Sequence, residues 1–582
     1  MRRSNYDKEP CVKVAGYDSE AFAGYDAIAE EIRSKCEKCG RTVITVECYP
    51  GVRIAEIVEN FLKRLPIAEI LYSDECSYSG EKITEMIKRE LTDDRVFGVL
   101  TCRTMDEFFD ADLLMQKKQQ VEAFSEGILL VIGVGAALIT EGDILIYADL
   151  ARWEIQLRYR SRELANWKMQ NYDEDILRKY KRGFFVEWRI ADRFKQKLFP
   201  CMDYLLDTNQ KDNPKMITEA AFMAGVTKTV SRPFRVVPYF DPGVWGGQWM
   251  KEVCDLDRSK ENYAWSFDGV PEENSLYLKY GDIRVEIPSI DVVFLKPAEL
   301  LGERVHARFG KEFPIRFDFL DTMGGQNLSL QVHPLTEYIQ QTFGMHYTQD
   351  ESYYILDAED DAVVYLGVKE GIDRNAMLED LKKANRGECS FLDEKYINRF
   401  PAKKHDHFLI PAGTIHCSGR NSMVLEISST PYIFTFKLWD WDRLGLDGKP
   451  RPVHIKHGEQ VIDWKRDTRW VKDNLVNRVI PLKEAEGYRE ERTGLHEREF
   501  IETRRHWFRD KVFHQTMGSV NVLNLVEGRE AIVESPTGSF EPFVVHYAET
   551  FIIPEQVKEY TIRSYGESEG KEIATIKAYV RG

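Results

Sequence analysis

The sequence predicts a multidomain chain in which an N-terminal α/β domain with a parallel sheet precedes an all-β module. Three observations lead there. Residues 1–205 alternate strand-like and helix-like segments, the pattern of a parallel sheet covered by helices. From about residue 233 the pattern changes to short strands punctuated by Gly, Pro and Asn, which reads as a sandwich or barrel. All twelve histidines lie at or after His306, so metal binding or proton transfer by imidazole belongs to the second half.

CVKVAGY (11–17) reads as a buried strand and opens the series. AIAEEIRSKCEKCG (27–40) follows as a helix ending in glycine, RTVITVECY (41–49) as a strand and VRIAEIVENFLKRL (52–65) as a helix. GILLVIG (127–133) and DILIYADL (143–150) are apolar enough for strands buried on both faces. Helical sequence rich in Arg and Lys continues to about residue 200; interspersed Glu and Asp make it a solvated face. Residues 206–232, with DTNQKDNP, a short helical stretch and TKTVSRP, read as a connector. Residues 233–478 form a first all-β domain, interrupted by a helix at DRNAMLEDLKKAN (373–385). A second occupies 479–582, with strands at VNVLNLVEG (520–528), EAIVES (530–535), FVVHYAETFIIP (543–554), YTIRS (560–564) and ATIKAYV (574–580).

Bulk properties narrow the function classes. A chain of 582 residues needs roughly three or four cores. A net charge of -16 and a pI near 5.4 argue against a nucleic-acid partner or an anionic membrane surface. No apolar run approaches the ~18 residues of a transmembrane helix, and MRRSNYDKEP lacks the apolar centre of a signal peptide. The ten scattered cysteines read as reduced thiols of a cytoplasmic protein. Cys36 and Cys39 form a CxxC, but no second pair follows at zinc-ribbon spacing, so they read as inert.

Chemistry concentrates in the middle of the chain. In LSLQVHP, Leu328, Leu330 and Val332 alternate with Ser329, Gln331 and His333, so a strand here places the polar three on one face. Glu351 in QDESYYIL and His416 in IPAGTIH complete a set of two imidazoles, one carboxylate and one amide. That set suits zinc or a similar divalent ion, with room for substrate. His405 and His407, in HDH, read as surface histidines on a turn. His546 reads as structural, and Trp439 and Trp441 as aromatic core.

LSLQVHP, QDESYYIL, IPAGTIH and FKLWDWDR, with VWGG (244–247) and GKPRPVHI (448–455), resemble the type I mannose-6-phosphate isomerase (phosphomannose isomerase) family over roughly residues 238–582. The short interval from His333 to His416 is similar to the family's shorter bacterial form. The resemblance implies a double cupin, or jelly-roll, module with one zinc ion or similar metal per chain. Gln331, His333, Glu351 and His416 would hold it. It implies interconversion of mannose 6-phosphate and fructose 6-phosphate, or a close relative, by proton transfer through an enediol. Glu426, in MVLEIS, falls where the family has a glutamate and becomes the candidate base. Lys437 stands where the family has an active-site arginine, keeping the charge without the planar fork. PIRFDFLDT (314–322) places Asp318 where the family has a lysine. Arg316, Lys449 and Arg451 then remain as cations for an anionic substrate. These departures leave two alternatives: an isomerase of a different, unphosphorylated sugar, or a non-catalytic regulatory protein that binds metal and sugar.

The N-terminal order of strands, and the run EGILLVIGVG…GDILIYADLARWEIQLRYR, resemble the uridine kinase group of P-loop kinases. The phosphate loop of that group has the pattern GxxxxGK[ST]. GYDSEAFAGYDA (16–27) keeps Gly16 and Gly24 but has no Lys or Ser/Thr after the second glycine, while Asp18 and Glu20 would repel phosphate. The resemblance therefore implies a kinase-like module with a degenerate loop and no phosphoryl transfer.

Overall fold

A computed structural model describes residues 4–36, 40–494, 496 and 499–582. Cys39 of the CxxC lies outside them. The chain divides into two compact units, taken here over their described residues. One contains Cys11–Lys228 and Ser275–Leu295; the other contains Met1–Pro10, Thr229–Asn274 and Lys296–Gly582. Among the described residues no helix is long and apolar enough to cross a membrane.

The α/β unit is built on a seven-stranded sheet. Its five parallel strands run, in spatial order, Ile67–Tyr72, Gly127–Gly133, Arg41–Cys48, Ile144–Asp149 and Tyr204–Asp207. Ile128 to Ile132 and all of Ile144–Asp149 are buried, as strands covered on both faces require. Helix Ile54–Arg64 turns Ile57, Val58 and Phe61 inward and leaves its charged residues outside.

Two expectations are corrected here. Residues 206–232 do not form a connector: Lys215–Thr218 pairs antiparallel with Tyr204–Asp207, and Glu219–Val230 is a helix. The Asn, Asp and Pro of DTNQKDNP make a hairpin turn, and a turn and a linker share that composition. The strand at 11–17 is also misplaced. Cys11–Lys13 pairs parallel with Ser275–Tyr280 in a separate three-stranded sheet, so residues 16–27 do not follow a strand of the large sheet. The loop after the central strand Arg41–Cys48 is residues 49–53. Arg158 donates there to the Gly51 carbonyl at 2.8 Å and to the Thr208 carbonyl at 2.8 Å. A phosphate loop offers N–H groups to an anion; this loop offers a carbonyl to a guanidinium.

The all-β unit contains two sandwiches. The first pairs a six-stranded sheet, in order His407–Ile410, Asp350–Ala358, Ser422–Ser429, Ile315–Asp321, Trp265–Gly269 and Tyr239–Asp241, with a five-stranded one. The latter runs Ile397–Pro401, Val363–Val368, His416–Ser418, Leu330–Val332 and Phe436–Trp439. The second sandwich pairs a six-stranded sheet (Ile480–Ala485, Tyr488–Arg492, Ile501–Phe508, Ile573–Val580, Asn521–Glu527, Thr550–Ile553) with a four-stranded one (Val512–Gln515, Glu559–Ser564, Glu530–Glu534, Phe543–His546). Phe508, Leu523, Leu525, Val533, Phe551, Tyr560 and Ile562 form its apolar core. The start of the chain belongs with this unit, against the expectation that it opens the α/β domain. Tyr6 donates its hydroxyl to Asp268, and Asp7 N donates to Glu549 at 2.6 Å.

Candidate metal centre

Register decides which side chains of the first sandwich meet. In the six-stranded sheet Arg316 lies opposite Ser428, and Ser428 opposite Glu351. One row further, Asp318 lies opposite Glu426, and Glu426 opposite Tyr353. Direct cross-strand partners share a face, so three adjacent strands present these six polar groups to one side. In the five-stranded sheet Gln331 lies opposite His416 on one flank and Lys437 on the other. His333 follows directly on strand Leu330–Val332.

Glu351 is the meeting point of the two sheets. Its Oε2 lies 3.2 Å from His333 Nε2 and its Oε1 lies 2.9 Å from His416 Nε2. All three residues are buried, with their ligand atoms within 4.8 Å of one another. Behind them, His333 Nδ1 sits 2.9 Å from the Phe434 carbonyl and His416 Nδ1 sits 2.9 Å from the Thr414 carbonyl. Each carbonyl accepts an Nδ1 proton, which turns both Nε2 lone pairs toward the carboxylate. Burial alone would raise the Glu351 carboxyl, but the two imidazoles hold it well below the usual carboxylate range. The same carboxylate raises the His333 imidazole against its burial.

These residues fit a divalent cation. His333 Nε2 and Glu351 Oε1 have no hydrogen-bond partner among the described residues. The Gln331 amide lies 3.2 Å from His416 Nε2, and a half-turn of that amide offers its oxygen instead. Two imidazoles, a carboxylate and an amide oxygen form a donor set for zinc or a similar ion. Among the described residues, no other group of His, Cys, Asp and Glu comes together in this way.

The remaining expected residues fall into two neighbourhoods. Glu426 is buried, accepts from Ser428 Oγ at 2.9 Å and is pushed well above the usual range by burial, then by Glu351 and Asp318. Burial pushes Asp318 up to about 6, against the pull of Arg316, whose Nη2 lies 3.4 Å away. Arg316 is thus bound to an acid deep in the sheet. Lys437, in the row of Gln331 and His416, is pushed down to about 7 by burial and by Arg451. Asp440 pairs with both Arg451 and Arg443 beside it. Lys449 is exposed on the following loop.

Gln349 escaped the sequence reading. Its Nε2 donates to Glu351 Oε2 at 2.8 Å, Glu426 Oε1 at 3.0 Å and Ser428 Oγ at 3.3 Å, while its Oε1 accepts from Phe434 N at 3.0 Å. It ties the expected metal ligand to the candidate base. Its position two residues before Glu351, on the same side of an extended chain, was the available signal. The HDH expectation needs correction: His407 is buried, lies 3.2 Å through Nδ1 from the Thr493 carbonyl, and is pushed down to about 3 by burial. His405 pairs instead with Tyr354 at 2.9 Å and Glu527 at 3.2 Å.

Comparison with known proteins decides the family. The mannose-6-phosphate isomerase ManA of Bacillus subtilis is 32% identical over 241 residues, covering 40% of this chain and 69% of that protein. The chain belongs to the mannose-6-phosphate isomerase family. A second B. subtilis protein, named "Probable mannose-6-phosphate isomerase GmuF", is 27% identical over 236 residues, covering 40% of this chain and 69% of that protein. A solved mannose 6-phosphate isomerase from B. subtilis superposes at a TM-score of 0.46 and 18% identity, covering 60% of this chain and 100% of that one. Residues 24–231 match a family described as a domain of unknown function (DUF8485).

Proposed function

We propose that the chain is a metal-dependent aldose–ketose isomerase acting on mannose 6-phosphate, fructose 6-phosphate or a closely related sugar phosphate. The observation that carries this is the buried His333–Glu351–His416 group, with the Gln331 amide beside it, in a chain of this family. When bound, a divalent ion would supply Lewis-acid polarisation of sugar oxygens. The chain's own residues account for the rest. Glu426, raised by burial among carboxylates, is placed to take a proton from one sugar carbon and return it to the next. Gln349 and Ser428 orient its carboxyl group. Lys437, pushed down to about 7, stands beside the Gln331–His416 row, where it can hold or release a proton.

A second reading, an isomerase of an unphosphorylated sugar, rests on a specific observation. Arg316 is paired with Asp318, and Arg451 with Asp440, so two cations expected to grip a phosphate already have acids. A screen of metal-loaded protein with mannose, mannose 6-phosphate and related pairs separates the readings. Turnover of the phosphorylated sugars supports the first, and turnover of free sugars alone supports the second. Tight sugar binding without turnover would leave a non-catalytic binding protein. For the α/β unit, the Arg158-filled loop after the central strand supports a module without phosphoryl transfer.

A further inference from the structure

The second sandwich has polar groups where its own core should be apolar. His506 lies opposite Thr575, and Arg504 opposite Lys577. On the other side of the same strand, Thr575 lies opposite Leu525 and Lys577 opposite Leu523. Direct partners share a face, so His506, Thr575, Arg504 and Lys577 point the same way as Leu523 and Leu525 of the buried core. From the facing sheet comes His514, opposite Tyr560. Its ring stacks on Tyr560 at 5.0 Å and meets the His506 ring edge-on at 4.7 Å.

These groups are buried yet under-satisfied. His506 Nε2 is 3.5 Å from Glu490 Oε1, but His506 Nδ1, His514 Nε2 and Thr575 Oγ1 have no hydrogen-bond partner among the described residues. Lys577 is 6% exposed, and its ammonium lies 5.5 Å from the centre of the Tyr579 ring. The acids nearby are engaged elsewhere: Arg504 holds Glu490 at 2.8 Å and Glu502 at 2.7 Å, and Tyr579 donates to Glu502 at 2.8 Å. Burial, with Arg504 close by, pushes the Lys577 ammonium down to about 8. A desolvated ammonium facing only an aromatic ring, beside buried polar atoms without partners, is costly and favours a bound counter-charge. Exposure rises from these groups toward Glu490 at 16% and Arg504 at 29%, which marks the open side.

We propose that the interior of the second sandwich binds a small oxyanion, a carboxylate or phosphoryl group, with Lys577 as its counter-ion. Thr575 Oγ1 and the His514 imidazole, which can present an N–H from a neutral ring at Nε2, supply the remaining contacts, while the His506 Nε2 proton is directed to Glu490. The ammonium in the same space disfavours a metal ion. This site is separate from the His333–Glu351–His416 group and does not depend on its chemistry.

The test uses the full chain, with melting temperature and calorimetric titration against inorganic phosphate, acetate and citrate. Lys577→Met is expected to melt higher than wild type without anion, because a desolvated ammonium held only against the Tyr579 ring is removed, and to lose the anion-dependent rise. Thr575→Val keeps the lysine and should weaken binding about tenfold, one hydrogen bond's worth. A response to phosphate alone assigns a phosphoryl ligand; a response to acetate or citrate alone assigns a carboxylate. The proposal is overturned if no anion stabilises the wild type, if Lys577→Met responds as strongly as wild type, or if Lys577→Met lowers stability without anion.

Discussion

Removing the Gln349 amide should damage the metal centre more than any exposed substitution. Gln349→Leu keeps the volume but deletes donors to Glu351 at 2.8 Å and Glu426 at 3.0 Å, and the acceptor of Phe434 N at 3.0 Å. A hydrogen bond to a buried charged group contributes about 1.5–3 kcal/mol, and an orphaned buried N–H costs about 1–3 kcal/mol. The losses overlap, so a total of about 4 kcal/mol is expected, or roughly 8 °C in the melting temperature of a large domain. Gln349→Glu retains the acceptor for Phe434 N but sets a third carboxyl group against Glu351 and Glu426. It should therefore be worse at pH 8 than at pH 5, where the added carboxyl can keep a proton and donate it. Thermal melts at both pH values, with metal retention after gel filtration, measure this. A Gln349→Leu change within about 0.5 kcal/mol of wild type, with metal retained, would refute the bridging role.

Two further predictions concern stability. Arg235 is 2% exposed and pairs with Glu549 at 2.8 Å and Asp268 at 3.6 Å, so Arg235→Met takes the shared guanidinium from two buried acids and should cost about 3–5 kcal/mol by urea unfolding. In the α/β unit, Glu47 accepts from Gly135 N at 2.7 Å and Ala137 N at 2.9 Å, and burial pushes its carboxyl up to about 8. A raised folded-state value means the native protein binds more protons than the unfolded one between about pH 4.3 and 8. Stability from this group is thus full below that window and falls as pH rises through it, by an amount on the order of 5 kcal/mol. Glu47→Gln should flatten that slope in pH-dependent unfolding; an unchanged slope would assign it to other groups.

How much of this was legible in the sequence follows from which contacts are local. The alternation in LSLQVHP shows that Gln331 and His333 share a face, because the period of a strand is a local property. Joining them to Glu351 and His416 needed the family resemblance, since no periodicity reports that Glu351 pairs with Ser428 in the sheet. The spacing of Gln349 from Glu351 puts the two on one side, but its role exists only once the strand of Glu426 pairs beside that of Glu351. The strand character of Arg41–Cys48, Gly127–Gly133 and Ile144–Asp149 was visible as apolar runs. The pairing of Cys11–Lys13 with Ser275–Tyr280 was not, because the partners lie far apart in the chain. His407 looked like a turn residue because Lys403, Lys404 and Asp406 surround it, yet its strand turns the ring inward.

The central claim is that His333, Glu351 and His416, with Gln331, hold a metal that makes this chain an isomerase. The most direct measurement is metal content together with mannose 6-phosphate conversion, on wild type and His333→Ala purified alike and offered zinc. The expected result is about one ion per wild-type chain with fructose 6-phosphate formed, and loss of both in the variant. A wild-type chain that takes up no metal, or a His333→Ala chain that isomerises as fast as wild type, would contradict it.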